Sequence, residues 1–587
     1  MKLLKWIPLF CSMIVFGQIQ TSYDSSVVVL IDSILVDSLW FEQYHNSFSE
    51  EDEILLLGYD PLEQSILSNQ GSPLLNNFWK PQFSTKLRIG DRLLDSYSTA
   101  QEFSFDTSTD KPFTKIFYLQ GYNEGQRLRF WHSRAYRYGA MSIDYDRLVS
   151  QGYLWHEKNK QTRFAFNGNF KHPNFPYHSK LQIATFKNES EWNGGVSDDS
   201  LFVSGSQSNW ELLPVNWSNL KTSIKHKGLD WKHSYSFSEK SELEYELALS
   251  QDSLFYEGLE DDTLFYPLRL DSINEFIRVF TNINHSLKWT QQINDDNNAV
   301  LGVKHQQFSQ RDLSENQLLI FSSLHSSYFK NDIYFSYGMN SRTTNSLIAN
   351  YTQRIDFLGM RNTIKLGYEK TMPNWMKQNN IYSSWAPQFV CVQEDVRPNI
   401  DQYIEWDLHL GKNFSLHHSY HNIDGYMYFN EEAISVLSEE TVQVFQSRLK
   451  HHLSLGKWHW NGDVAYQHSS SDNLPLANLL LNQKVYWQGA IFKEASLAQI
   501  GLRALYRSSH VGLGYSPIIG DFYLNPMNAT KAMTRLDFFA NFQVKTLKLF
   551  CSYDHVNAHW QGTQYSMKPY PLAKPTFRIG LIWNFFD

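Results

Sequence analysis

The chain ends in FRIGLIWNFFD, Phe577 to Asp587. Chain ends are usually frayed and polar, because nothing ties them down. This one stays apolar to within one residue of its terminus. Phe577, Ile579, Leu581, Trp583 and Phe585 share one parity, and Arg578, Gly580 and Asn584 take the other. Ile582 is the single apolar exception. A period of two with one unbroken apolar face is a β-strand, whereas a helix would scatter those five residues around its axis.

The same alternation recurs upstream. ELEYELAL sets Leu243, Tyr245, Leu247 and Leu249 against Glu242, Glu244 and Glu246. RLDFFANFQV sets Leu536, Phe538, Ala540, Phe542 and Val544 against Arg535, Asp537, Asn541 and Gln543. TRFAFNGNF and NDIYFSYGM repeat it. One dry face and one wet face also suit a soluble sandwich. The extent of the pattern, from about Phe113 to the end, separates the two cases.

Composition points the same way. Aromatic residues make up 16% of the chain, yet its mean hydropathy is −0.44. After the first residues no stretch approaches the ~18 uncharged apolar residues of a membrane helix. Strands that show apolar groups on one face and polar groups on the other fit a transmembrane β-barrel. The start, MKLLKWIPLFCSMIVFGQ, has Lys2 and Lys5, an apolar core from Trp6 to Phe16, and then Gly17. That is a secretory signal, with cleavage expected near Gly17, and its core is too short to span a bilayer. Phe10 stands before Cys11, where a lipoprotein signal needs a small residue. The mature chain keeps only Cys391 and Cys551, too few for a disulfide scaffold. A net charge of −8 without a basic cluster excludes the usual nucleic-acid binder.

Connections fall into two kinds. Lys330-Asn331, Gly411-Lys412 and Lys545-Thr546 are very short. Glu189 to Asn219, Gln251 to Asn274, Met372 to Asp401 and Pro517 to Ala532 are long and polar. Outer-membrane barrels place short turns on the periplasmic side and longer loops outside. Each unpaired backbone group in hydrocarbon costs several kcal/mol, so such a sheet must close on itself. At roughly 20–25 residues per strand and connection, the chain supplies about 16–24 antiparallel strands, enough to enclose a lumen that side chains do not fill. The expected organisation is a signal peptide at 1–17, a periplasmic or plug-like extension at 18–110, and an all-β barrel at 111–587. Early strands in QFSTKLRIG and a partly helical SEEDEILLLGYDPLEQS belong to the extension.

Three stretches carry a family resemblance: KPFTKIFYLQGYNEGQRLRFWHSRA (Lys111–Ala135), AMSIDYDRLVSQGYLWHEKN (Ala140–Asn159) and the tail KPYPLAKPTFRIGLIWNFFD (Lys568–Asp587). The loop SEWNGGVSDD (Ser190–Asp199) adds to them. They resemble a family of large Bacteroidetes outer-membrane porins with an N-terminal extension. The pattern Pro112-Phe113-Thr114, Gly121, Gln126-Arg127-Leu128 and His132 corresponds, whereas Ser133-Arg134 stands where Gln-Asn commonly follows the His. The resemblance implies a barrel, an outer membrane of a Gram-negative bacterium, and outer-membrane lipid as solvent. By it, Phe577, Ile579, Leu581, Trp583 and Phe585 are assigned to the lipid face and Phe586 to the interfacial girdle. The terminal strand is then also what the barrel-assembly machinery reads.

The enzyme motifs for phosphate loops, zinc proteases, serine nucleophile turns and redox CxxC pairs are missing, so no enzyme and no cofactor is expected. His417, His418 and His421 form the tightest histidine group, but strand spacing separates His417 from His421, and no metal is assigned. His451-His452 point to opposite faces. Glu242, Glu244 and Glu246 are expected to face the lumen as a cation-favouring wall or to form a solvated strand end. Arg127 and Arg129 are candidate lumen residues that would oppose them. The leading reading is a porin passing small hydrophilic solutes or ions by diffusion. The alternatives are an occluded barrel with a structural or export role, and a secreted soluble β-protein binding glycans. TonB-dependent uptake is not expected, for want of a recognisable plug domain and sufficient length. A homo-oligomer is left open.

Overall fold

The computed structural model describes residues 48–80, 112–258 except 122 and 124, 275–310, 313–340, 345–357, 360–380, 391–392, and 396–586 except 494. The signal sequence, QFSTKLRIG, residues 259–274 and the side chains of Cys391 and Phe586 lie outside the described residues. Cys551 is an unbridged thiol.

Twenty-two antiparallel strands, the first Phe113–Gln120 and the last Thr576–Phe586, close into a barrel. The seam runs from Phe113 opposite Phe586 to Gln120 opposite Ile579. The terminal strand therefore pairs on both edges, with the first strand and with Leu547–Asp554. That pairing satisfies the backbone groups which an open edge would leave bare in hydrocarbon.

The two kinds of connection segregate to opposite ends. One end carries the tight turns, among them Arg137-Tyr138, Glu239-Lys240, Asp295-Asp296, Gly456-Lys457 and Lys545-Thr546. The other end carries 192–220, 372–398, 425–441, 508–532 and 555–575. Gly456 at φ 62° and Lys545 at φ 52° adopt the left-handed conformation that matches a two-residue turn to the strand twist. Two connections hold more strand than the sequence suggests: Ser241–Glu257 passes beyond Gln251, and Asp521–Leu524, inside the loop expected from Pro517 to Ala532, pairs with Leu513–Ser516 just before it.

The outer face bears the apolar parity, with Leu128, Phe130, Phe164, Tyr245, Leu249, Phe538 and Ile579 exposed. The inner parity is polar and includes Arg127, Asp144, Asp146, Arg163, Gln467 and Asp537, all buried.

Two bodies fill that interior. The first is residues 48–80, which comprise helix α1 (Glu50–Leu57) and a hairpin of Gln64–Ile66 with Leu74–Asn76. Ser49 and Asp52 cap α1 reciprocally: the Asp52 amide donates to Ser49 Oγ at 3.1 Å and the Ser49 amide to Asp52 Oδ2 at 3.2 Å. Leu55, Leu56 and Phe48 pack on an apolar island of the inner wall made of Phe117, Leu119, Phe550 and Ile582. Ile582, the exception in the terminal alternation, belongs to this island.

The second body is built by the long connections. They fold inward into a cluster that holds Trp192, Trp217, Met376, Phe429, Ile518, Ile519, Met567 and Tyr570, and Leu67 of the first body joins it.

Candidate functional site

Four of the candidate charges, Arg127, Arg129, Glu244 and Glu246, are paired locally. Arg127 donates to Asp146 through Nε at 3.1 Å and Nη2 at 2.7 Å. Arg129 grips Asp144 the same way, at 3.1 and 2.9 Å. Arg163 reaches both carboxylates, at 2.9 and 3.5 Å. Five strands further round the barrel, Glu244 pairs with Lys288 at 2.8 Å and Glu246 with Lys232 at 3.7 Å. Glu242, Glu244 and Glu246 do face inward, opposite Tyr245, but they follow the tight turn Glu239-Lys240. Arg127 and Arg129 stand at the long-loop end of their strand, Gln126–Tyr136. The two sets differ in depth and are each neutralised by a neighbouring strand, so they do not oppose one another across the lumen as a transverse field.

The histidines divide by parity. His417 bonds Asp407 at 2.7 Å and His421 bonds Asp401 at 3.1 Å, both on the inner face. His418 turns outward and stacks on Trp406 at 5.5 Å. Among the described residues no group of three metal-ligating side chains comes together. On the terminal strand Phe577, Ile579 and Trp583 are exposed on the outer face, Leu581 and Phe585 are partly exposed on the same parity, and the Trp583 and Phe585 rings lie 4.2 Å apart. Phe586 takes part through its backbone register with Phe113.

The densest chemistry lies where residues 48–80 meet the wall. Glu53 is held by both Lys484 and Arg503, which face each other in register on adjacent strands. Asp52 meets Lys548 at 2.6 Å. Glu63 pairs with Lys80 at 2.5 Å and with Arg448. Arg127 donates to the Leu55 carbonyl at 3.4 Å, and Gln446 and Gln467 donate to the carbonyls of Trp79 and Asn77 at 3.1 and 2.7 Å. Burial raises the Glu53 carboxyl, but the flanking Arg503 and Lys484 outweigh it and hold the group below the ordinary glutamate range. Beside this contact a cavity of about 110 Å³ is lined by Glu53, Lys484, Arg503, Asn461, Gln499 and Asn541.

A second inner-wall cluster escaped sequence reasoning. Lys365 pairs with Glu405 at 3.2 Å, Tyr403 donates to Glu369 at 3.2 Å, and Trp79 Nε1 reaches Asp401 at 3.1 Å. The only local signal was a scatter of inward-parity charges on strands 360–371 and 399–410, because pairing partners lie on separate strands.

At the long-loop end the hairpin Leu513–Leu524 reaches the opposite wall, where Tyr256 donates to the Ile518 carbonyl at 3.3 Å. Tyr256 lies on the seventh strand of the barrel and the hairpin follows the nineteenth, about half the circumference away. The hairpin therefore spans the bore.

The motif-bearing stretches converge on this mouth. Glu157 is enclosed; it accepts from Ser68 Oγ and from the amides of Tyr153 and Leu154 at 2.7 and 3.1 Å. Burial pushes its carboxyl upward. Gly152, at φ 85°, is obligatory beneath it, since a Cβ there would stand 2.5 Å from Glu157 Oε2. Asn193 bonds the Trp155 carbonyl at 3.0 Å, and the Val196 amide donates to the Pro569 carbonyl at 3.0 Å. Lys568 pairs with Asp199 at 2.8 Å.

Comparison with known structures returns the same architecture. An iron transporter of Neisseria meningitidis, FrpB in its apoprotein form, superposes with a TM-score of 0.63 at 9% identity, covering 93% of this chain and 98% of that one. The copper transporter OprC gives 0.60 at 12% identity, with 81% of each chain covered. A mutant of the ferric enterobactin receptor PfeA of Pseudomonas aeruginosa gives 0.59 at 9%, covering 81% of this chain and 80% of that one. At such identities the likeness extends to the fold alone. No curated protein matches the sequence. A family model described as Putative porin matches residues 52–587, from within α1 to the last residue. The chain, a closed outer-membrane β-barrel with a polar interior, belongs to the Putative porin family.

Proposed function

We propose that the protein carries small hydrophilic solutes or ions across the outer membrane along the polar inner face of the barrel, and that this path is closed at rest. The outer apolar face is solvated by lipid, and the terminal strand is the segment presented to the barrel-assembly machinery. No covalent step is involved: the chain supplies a wet path, a charge profile and two obstructions.

One observation carries the closure. The hairpin Leu513–Leu524 crosses the bore and is buried among residues of four other connections and the opposite wall. An apolar cluster at the centre of a mouth excludes water from the straight path through it. The relatives' fold is consistent with transport but does not fix its mode.

Planar-bilayer conductance of the mature chain tests this reading. The intact protein is expected to conduct rarely and in small steps, and a variant with residues 513–524 replaced by a short turn to conduct persistently. Large, steady conductance of the intact chain that the replacement leaves unchanged would overturn the closed state. Absence of conductance in both would overturn transport along the lumen. A receptor-like barrel, opened only by its ligand, is the second reading. It is favoured by the ion pairs that fasten residues 48–80 to the wall.

A further inference from the structure

The wall beneath α1 carries a surplus of positive charge. Lys484, Arg503, Arg535, Lys548 and Arg578 line the inner wall of the strands from 479–491 to 576–586, Lys548 nearest the tight turns. Among the described residues their ion pairs with the wall include those to two carboxylates, Asp537 and Asp554. The balance comes from the helix. Asp52 takes Lys548, and Glu53 takes Lys484 and Arg503 together. These contacts are largely removed from water, with side-chain exposures of 7% for Lys548, 10% for Arg503 and 18% for Lys484.

Charges buried this far require partners, because stripping their hydration without compensation costs several kcal/mol per ion. Were α1 to leave, these cations would need other anions. The adjoining cavity, lined by Lys484, Arg503 and Arg578 with Asp537 and Asp554, adds the neutral polar groups Asn461, Gln499 and Asn541 beside Glu53. Guanidinium and ammonium groups placed side by side suit carboxylate oxygens, the guanidinium in a two-pronged fashion.

We propose that this sector is a binding site for a small dicarboxylate solute, and that the consecutive carboxylates of Asp52 and Glu53 occupy it as an internal substitute for that solute. The proposal rests on the transport reading above and adds the solute class to it. The helix and the dicarboxylate exclude each other: loss of the helix charges strengthens solute binding, and solute binding releases the helix. The apolar contacts of Leu55 and Leu56 with Ile582 and Phe117 hold the helix near its site while it exchanges.

Succinate is the probe, with putrescine as the dication of similar length and KCl at matched ionic strength. In the full chain, Asp52→Asn with Glu53→Gln should bind succinate at least ten-fold more tightly than wild type by titration calorimetry. Lys484→Gln with Arg503→Gln on that background should abolish the gain. Equal succinate affinity in wild type and D52N/E53Q, or equal binding of putrescine, would overturn the proposal. Folding of the variant is read from heat-modifiable gel mobility. If it does not fold, wild type decides: succinate, but not KCl, should speed proteolysis within residues 48–80, and equal rates would overturn the site. Conductance in KCl of D52N/E53Q with residues 513–524 also replaced by a short turn separates the two readings. Conductance without succinate binding removes the site alone, and succinate binding without conductance removes transport alone.

Discussion

Ile582 on the last barrel strand lies directly opposite Phe117 on the first, and both side chains are fully enclosed beneath α1. The seam that closes the barrel is thus also the dock for the helix inside it. Ile582→Ala removes apolar contact from both, yet it leaves the eight backbone pairs of the seam in place. Replacing a buried aliphatic side chain with Ala costs about 2–5 kcal/mol. The expected result is a barrel that still shows heat-modifiable mobility but whose residues 48–80 are cleaved at least ten-fold faster. Cleavage at the wild-type rate would show that the helix is held by its ion pairs alone.

Acid should loosen the same dock. Burial raises the carboxyls of Glu53 and Glu63, but Arg503 with Lys484, and Lys80 with Arg448, outweigh it and leave both below the ordinary value of 4.5. A carboxyl depressed on docking contributes stability above its undocked value, and that stability is lost as pH falls through the docked value. Docking should therefore hold at neutral pH and weaken only below about pH 4. Single-channel recordings over that range should show more frequent openings at low pH in wild type, and a much smaller change in Glu53→Gln.

Legibility in the sequence followed locality. The outer face, the closure and the sidedness of the connections could be read because each rests on neighbours two residues apart or on loop length. The extent of the alternation indicated lipid, and Ile582, its exception in the terminal strand, marks one of the places where the inner wall is dry. The extension SEEDEILLLGYDPLEQS could be read as partly helical, but its acidic residues gave no hint of a destination. Their partners Lys484, Arg503 and Lys548 lie more than 400 positions away, as lone cations on otherwise ordinary strands. The same limit hid the pairing of Glu244 with Lys288 and of Arg129 with Asp144, because strand register is set by the whole sheet.

That pairing changes what the glutamate row does. Because Lys288 and Lys232 already offset Glu244 and Glu246, the row adds little net negative charge. Neutralising Glu242, Glu244 and Glu246 to Gln leaves the lysines uncompensated and makes the wall positive. The reversal potential in a KCl gradient, measured on channels opened by hairpin replacement, should shift toward anion selectivity. An unchanged potential would place these residues outside the conducting path.

The outer face should tolerate no charge at mid-depth. Ile579 is exposed on that face and pairs in register with Gln120 and Cys551. Arginine on the lipid face of a barrel costs roughly 2–4 kcal/mol at the midplane and little near the interface. Ile579→Arg should lower the fraction assembled in the outer membrane, measured by heat-modifiable mobility of membrane fractions. Arg578→Ile on the inner parity should not do so through lipid. It acts instead by leaving Asp554 short of a partner 2.9 Å away.

The mouth offers the sharpest separation of packing from hydrogen bonding. Tyr256→Phe removes only the bond to the Ile518 carbonyl, worth about 1 kcal/mol when a single neutral bond is lost. Ile518→Asp instead places a carboxylate in an apolar cluster, where the cost is several kcal/mol unless the group leaves or takes up a proton. The hairpin can relieve that cost by swinging out to water, because its strands pair with each other and not with the barrel. Ile518→Asp should therefore open the channel at neutral pH and let it close again as acid neutralises the new carboxylate, a pH response opposite in sign to that of the α1 dock. Tyr256→Phe should leave conductance close to wild type. Equal, small effects from both variants would mean that the hairpin is not what closes the bore.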